Sequence, residues 1–391
     1  MTVTGVDGFV AGGIAAGIKA NGRPDLALVA TADGRPVTAA GVFTANKMTA
    51  APVLVCRDHL ARSGGRAVAV IANSGNANAA TGAQGMNDAR AMCEQTAAVL
   101  GCQPEEVLVC STGLIGFTLP MDVIVAGIPA VAGAVSPDGG EAAATALMTT
   151  DTVAKQALAS ARIGEVSISV GGIAKGAAML EPNMATMLAV LTTDAELTPQ
   201  EATDLLQRAV VPAFNSLTVD GAQSTNDTVL LLASGRAGRV DPQAVLEPLT
   251  EVCTSLAVQM ADDAEGSTKT VFVAVEGALD DADAAFVARS IANCQLVKCS
   301  WYGQDPYWGR IAAEAGASAQ AFQPETLVIR YGDHVVYDHG EPARPDREEL
   351  EAYMRQRRLH LTVDLGQGEG AGRVVTTDLS HAYIDENMRT S

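Results

Sequence analysis

Ala67-Val68-Ala69-Val70-Ile71-Ala72-Asn73-Ser74-Gly75 is a continuous apolar run that stops at three turn-forming residues, the pattern of a buried strand entering a loop. A helical pattern comes next. Asn87 is a candidate N-cap, and Ala89, Met92, Cys93, Thr96, Ala97 and Leu100 share one face at 3.6-residue spacing before Gly101 as C-cap. Glu106 to Cys110 then reads as a second strand running into Ser111-Thr112-Gly113. A strand, a helix and a strand in succession place the chain in the α/β class.

The same alternation continues outward. Val166 to Val170 alternates with serines as a half-buried strand, and Met187 to Leu191 is an uninterrupted apolar run suited to a buried one. A loop rich in Gly, Ala and Pro separates them. Thr198-Pro199-Gln200-Glu201 puts Pro at the first helical position and closes a capping box, with Ala202, Leu205, Leu206, Ala209 and Val210 as the buried stripe. Leu327 to Tyr337 reads as a hairpin around Gly332-Asp333, and Leu361 to Leu365 and Val374 to Asp378 as closing strands. No fixed-period repeat or long linker divides the sequence.

Composition limits the function. The chain has 391 residues, 48% of them hydrophobic and 18% charged, so it can bury a large core without disulfides or metals. Its 45 acidic residues against 26 basic ones give a net charge of −19, which repels phosphate backbones and anionic lipid. Nucleic-acid and membrane partners are therefore not expected. The longest uncharged apolar run, Val123 to Val135, contains Pro129 and is shorter than the roughly 20 residues that cross a bilayer. Gly8 to Ile18 follows Asp7 and precedes Lys19, the reverse of a secretory leader, and is expected to belong to the mature fold. Seven cysteines without a CxxC pair fit a reducing cytoplasm.

Familiar metal and cofactor signatures are missing from the sequence: no HExxH, no strand-GxGxxG-helix unit and no Walker loop occurs, and the five histidines are scattered. Hydroxyls, carboxylates, lysine and backbone are left to carry chemistry. Lys175 to Leu188 is the most suggestive stretch, because a Pro-bearing loop delivers Thr186 to the start of a buried strand. A threonine that becomes chain-terminal can use its own α-amine as base. By itself Ala185-Thr186 is no motif, and an ordinary strand-opening threonine is the commoner reading. Thr112 hydroxyl and Gly113 N–H could point two donors at one oxyanion, or form a plain strand-to-loop turn. Asp262-Asp263-Ala264-Glu265 gathers three carboxylates that suit either a cation or ammonium site or a solvated helix end.

Gly172-Ile173-Ala174-Lys175-Gly176 together with Glu181-Pro182-Asn183-Met184-Ala185-Thr186-Met187-Leu188 closely resembles the self-cleavage region of the ornithine acetyltransferase family, also called glutamate N-acetyltransferases. The resemblance extends in order through Gly17-Ile18-Lys19, Val42-Phe43-Thr44, Asn73-Ser74-Gly75-Asn76, Ser111-Thr112-Gly113, Met148-Thr149-Thr150-Asp151-Thr152, Ser224-Thr225-Asn226-Asp227-Thr228, Glu265-Gly266 and Trp308-Gly309-Arg310. It implies a layered αββα-type α/β sandwich, cut by its own Thr186 at the Ala185-Thr186 bond into an α chain, 1–185, and a β chain, 186–391, that remain one intertwined catalytic fold. It implies ping-pong transfer of acetyl from N-acetylornithine to glutamate on Thr186, within arginine biosynthesis. Thr112 and Gly113 match the oxyanion hole, and Glu265 matches an active-site glutamate. Thr152, Lys175, Asn387 and Ser391 match substrate contacts. No metal or resident cofactor is implied, acetyl-CoA stays open as a second donor, and the expected assembly is an α2β2 heterotetramer.

Departures from the resembling pattern fall at Tyr307, where Asn is usual, and in Val219-Asp220-Gly221-Ala222-Gln223, which puts the choice of amino acid in question. A relative serving a specialised pathway is one alternative. An N-terminal-nucleophile amidase or aminopeptidase is another, but it usually carries Ser at the nucleophile, which Thr186 is not. A non-catalytic binding protein would not need Ala185-Thr186, Thr112-Gly113 and Lys175 together.

Overall fold

The computed structural model describes residues 2–181 and 187–388, and the chain forms two compact units. The first falls within Met1–Asn215 and Ala222–Met260, the second within Ser216–Gly221 and Ala261–Thr390. The expected cleavage pair Ala185-Thr186 and the expected tail contact Ser391 lie outside the described residues.

In the first unit, strands β1 (Phe9–Ile14), β2 (Leu26–Thr31), β3 (Val37–Phe43), β4 (Arg66–Ala67), β5 (Ala69–Asn76) and β6 (Val107–Leu114) precede β7 (Lys155–Ile163), β8 (Val166–Lys175), β9 (Leu188–Glu196) and β10 (Thr228–Arg239). They make a four-stranded sheet in the order β1-β2-β5-β6 and a six-stranded sheet in the order β4-β3-β10-β9-β8-β7. β5 and β6 run parallel, which needs a crossover, and helix α2 (Gly82–Leu100) supplies it after α1 (Ala51–Arg62). α1 touches β6 of one sheet and β3 of the other. Of the next two helices, α3 (Met121–Ala134) packs on β1 and β2, and α4 (Gly140–Leu147) touches β1 and β2 as well as β8 of the larger sheet. Apolar side chains from both sheets and from α1 to α4 form one core, including Leu28, Ile71, Met92, Ile128, Leu147 and Val190. The layered α/β class expected from the sequence is the architecture found.

Helix α5 (Pro199–Val210) shows how directly local sequence can act. Thr198 accepts the Glu201 N–H while the Glu201 carboxylate takes the Thr198 N–H at 2.8 Å, and all five stripe residues are buried. α6 (Gln243–Asp262) brings Val252 and Leu256 so close to Gly172 that a side chain there would meet them at 2.9 Å.

Among the boundaries that differ from the sequence reading, three bear on the site. β5 continues through Asn73, Ser74 and Gly75 instead of ending before them, because their polar side chains are satisfied inside: Ser111 donates to Asn73 at 2.6 Å and Ser74 donates to Ala146 O at 2.6 Å. β6 likewise runs on through Ser111-Thr112-Gly113. α2 starts at Gly82 after Thr81, not after Asn87. Asn78 holds the first turn by donating to Gly85 O at 2.9 Å, a tertiary contact that overrides the weak helix propensity of Gly82 and Gly85.

The second unit holds a single six-stranded sheet. β11 (Thr270–Ala278), β12 (Val328–Tyr331), β13 (His334–Asp338), β14 (Glu341–Pro342), β15 (Arg358–Asp364) and β16 (Gly370–Thr377) stand in the order β14-β13-β12-β15-β11-β16. Helix α7 (Asp281–Asn293) packs on β11 and β16 and is followed by α8 (Gln295–Tyr302), α9 (Trp308–Ser318), α10 (Arg347–Met354) and α11 (His381–Asn387). The β12–β13 hairpin turns at Gly332-Asp333 as expected, and Trp301 Nε1, fully buried, donates to Tyr331 Oη at 3.0 Å. Among the described residues, no helix is long and apolar enough to cross a membrane.

Candidate active site

In the first unit, register sets the oxyanion candidates. Parallel pairing places Ser74 opposite Thr112 and Gly75 opposite Gly113. Thr112 is buried, and Gly113 takes φ +133°, where a Cβ would sit 2.2 Å from the Gly75 carbonyl carbon. Only glycine lets the two strand ends approach this closely.

Lys175 ends β8, buried, and its register partner on β9 is Leu188, two residues after Thr186 in sequence. Its Nζ stands 3.9 Å from Asp151 Oδ2, while Lys155 Nζ donates to Oδ1 at 2.7 Å. The Gly176 and Thr149 N–H groups complete the set at 2.7 and 2.9 Å. Burial pushes the Asp151 carboxyl up, but Lys175, Lys155 and the Thr149 N–H outweigh it and hold it well below the usual carboxylate range. Thr152, the next residue, is exposed.

Lys19 approaches the same cluster from an N-terminal loop. That loop is wound on the Asp25 carboxylate, which accepts N–H groups of Ala16, Gly17, Ile18 and Lys19 at 2.6 to 3.1 Å. Lys19 Nζ donates to Pro24 O and Met148 O. Burial lowers its pKa, and the charges of Asp25 and Asp151 partly offset this.

In the second unit, Glu265 and Asn387 meet: Asn387 Nδ2 donates to Glu265 Oε2 at 2.8 Å and to Tyr383 O at 2.9 Å. Gly266 makes this possible, because at φ +62° a Cβ there would lie 2.2 Å from Tyr383 N of α11. Ser380 ties the helix start down by donating to Gly266 O at 2.5 Å. Among the described residues, the Asp262 segment forms no cluster of three carboxylates able to hold a metal ion. Asp262 pairs with Arg358 at 2.5 Å and accepts the Thr270 hydroxyl at 2.8 Å.

Sequence reasoning singled out Thr112, Gly113, Lys175 and Glu265 but gave no role to Lys19, Asp151, Lys155, Asn226 or Asp227. All but Lys155 lie in blocks visible in the sequence; the long-range contacts that give them work are not.

The chain thus joins a layered α/β fold to a glycine-dependent close approach of two strand ends at Thr112-Gly113 and a buried lysine beside the strand that follows Thr186. It belongs to the ArgJ family, which it matches over residues 10–390. It is 45% identical to the arginine biosynthesis bifunctional protein ArgJ of Streptomyces coelicolor over 100% of both chains. To the protein of the same name from Mycolicibacterium paratuberculosis it is 48% identical, over 100% of this chain and 96% of the relative. A crystal structure of ornithine acetyltransferase complexed with ornithine from Mycobacterium tuberculosis is 44% identical, covering 48% of this chain and 95% of that one at a TM-score of 0.42.

Proposed function

We propose that this ArgJ-family chain is a glutamate N-acetyltransferase of arginine biosynthesis, moving acetyl from N2-acetyl-L-ornithine to L-glutamate through an acetyl-Thr186 intermediate. The observation that carries the reading is the family match across residues 10–390, which takes in both sides of the Ala185-Thr186 bond.

Maturation begins when Thr186 Oγ attacks the Ala185 carbonyl carbon. The C–N bond breaks, the leaving amine takes a proton, and water hydrolyses the resulting ester to give chains 1–185 and 186–391. The six-stranded sheet interleaves strands from both sides of that bond, β8 with β9 and β3 with β10, so hydrogen bonding supports continued association after the cut.

The new α-amine, a type of group that in free peptides titrates at about 7.7–8.0, accepts the Thr186 hydroxyl proton as Oγ attacks the acetyl carbonyl. The tetrahedral oxyanion forms between the Thr112 hydroxyl and the Gly113 N–H, and collapses as the proton passes to the departing ornithine amine. Glutamate's amine then attacks acetyl-Thr186 by the reverse sequence. Lys175 anchors the α-carboxylate that both amino acids share, with Thr152 as a further contact. Glu265, Asn387 and Ser391 are assigned to substrate binding by the family resemblance, Glu265 also to proton handling. Acetyl-CoA as a second donor, an α2β2 assembly and a cytoplasmic location belong to the same proposal. Seven free thiols support that location.

Intact mass measurement and a labelled exchange assay test it together. The expected result is two fragments, ending at Ala185 and beginning at Thr186, with label passing from N-acetylornithine to glutamate. Thr186→Ala should stay whole and inactive. A Thr186→Ala chain that is still cut there, or a wild-type enzyme with no exchange, overturns the reading.

A further inference from the structure

The segment Ser224-Thr225-Asn226-Asp227-Thr228 has no part in the chemistry above, yet it holds both strands that carry that chemistry. Asn226 is buried, and its Nδ2 donates to Ser111 O at 2.9 Å and to Ala77 O at 2.5 Å. Its Oδ1 accepts the Thr225 hydroxyl at 2.6 Å, which fixes the amide with its donors toward β6 and the residue that follows β5. Asp227 serves the other strand. Its Oδ1 accepts the Met187 N–H at 2.8 Å, and the following Thr228 N–H donates to Met187 O at 3.1 Å.

Ser111 immediately precedes Thr112, and Met187 immediately follows Thr186. Two adjacent residues therefore link the neighbour of the oxyanion donor to the neighbour of the nucleophile. Asp227 has a second peculiarity: Oδ2 is buried without a hydrogen-bond partner among the described residues. A full negative charge there would be costly, and a neutral carboxyl still offers Oδ1 as the acceptor. Burial does push this carboxyl well above the usual range, against the opposing pull of the Met187 N–H, the Thr44 hydroxyl, the Lys175 charge and the Ser224 hydroxyl.

We propose that Asn226 and Asp227 are the positioning residues of this active site, a paired tether that sets the nucleophile segment against the oxyanion strand for both self-cleavage and acetyl transfer. The inference rests on the function proposed above. Its physical basis is that displacing a reacting group by about 1 Å can cost about a hundred-fold in rate without touching the reacting atoms.

The test compares wild type, Asp227→Leu, Asp227→Asn and Asn226→Ala as full-length chains, measuring the rate of self-cleavage, kcat and KM of the cut enzyme, and thermal midpoint. Asp227→Leu and Asn226→Ala should slow cleavage and lower kcat by about ten- to a hundred-fold with KM nearly constant. Asp227→Asn keeps the Oδ1 acceptor and the neutral charge, and should recover most of the lost rate. Asp227→Leu at wild-type rates overturns the tether, and so does Asp227→Asn as slow as Asp227→Leu, which would mean that the proton matters and not the position. If Asp227→Leu does not fold, the remaining two variants decide: recovery in Asp227→Asn with a kcat loss in Asn226→Ala supports the tether, and any other combination overturns it. A wild-type chain that neither cuts nor transfers would instead sink the proposed function, so the two failures are distinguishable.

Discussion

Asp151 and Lys155 pair at 2.7 Å with both side chains fully shielded from solvent, and Lys175 stands 3.9 Å from the second Asp151 oxygen. One carboxylate thus compensates two buried ammonium groups. Removing a single partner from a buried pair typically costs about 3–5 kcal/mol, because the remaining charge is stranded. Asp151→Asn should lose stability on that scale in urea unfolding and raise KM for both amino acids as Lys175 loses its orientation. The sign with pH follows from a folded-state pKa held below the unfolded one. Asp151 contributes stability above its unfolded pKa, about 3.9, and that contribution disappears as pH falls further through the acid range. Acidification below about pH 4 should therefore destabilise wild type more than Asp151→Asn. Equal acid sensitivity in the two proteins would remove Asp151 from the account.

Thr112 and Gly113 should respond differently to substitution. On the proposed role, Thr112→Ala removes a donor to the transition-state oxyanion, so kcat should fall by roughly ten- to a thousand-fold while KM holds. Gly113→Ala forces a Cβ to within 2.4 Å of Asn76 N and 2.2 Å of the Gly75 carbonyl carbon. Backbone must move there, and both cleavage and transfer should suffer along with thermal stability. A Thr112→Ala enzyme changed only in KM would make Thr112 a substrate contact.

The distribution of successes along the sequence has a physical pattern. Thr198 and Glu201, Gly101 at φ +73°, and the Gly332-Asp333 turn were legible because each is decided by residues a few positions apart. Asn73-Ser74-Gly75 was not, since its polar side chains resemble a loop until Ser111 and Ala146 arrive from elsewhere in the chain to satisfy them. The same holds at the site. Lys175 and Thr112 stood out by resemblance, but the work of Asp151, Asn226 and Asp227 resides in contacts across long sequence separations that no local pattern encodes.

Tyr307 illustrates a departure with a structural consequence. It occupies the N-cap of α9 and makes no side-chain cap bond, although its extended backbone suits one. The Asn usual at this place would supply the missing acceptor. Tyr307→Asn should therefore stabilise the protein by about 0.5–1 kcal/mol, read as a higher urea midpoint with an unchanged slope. A changed ratio between amino-acid acceptors at unchanged stability would instead favour a role for Tyr307 in specificity.

Gly266 offers a way to separate the placement of Asn387 from its chemistry. At φ +62° the residue already lies where L side chains pay about 1–2 kcal/mol, and a Cβ would come within 2.2 Å of Tyr383 N, a backbone atom at the start of α11. Gly266→Ala must push that helix outward and break the 2.8 Å contact between Asn387 and Glu265. Asn387→Ala removes the same contact without moving the helix. If Asn387 acts by binding substrate, both variants should raise KM by similar factors. Only Gly266→Ala should then speed amide hydrogen exchange across His381–Asn387, because only it disturbs the docking of that helix. An Asn387→Ala enzyme with wild-type KM, beside a Gly266→Ala enzyme with raised KM, would transfer the role from the Asn387 side chain to another group carried on the same helix.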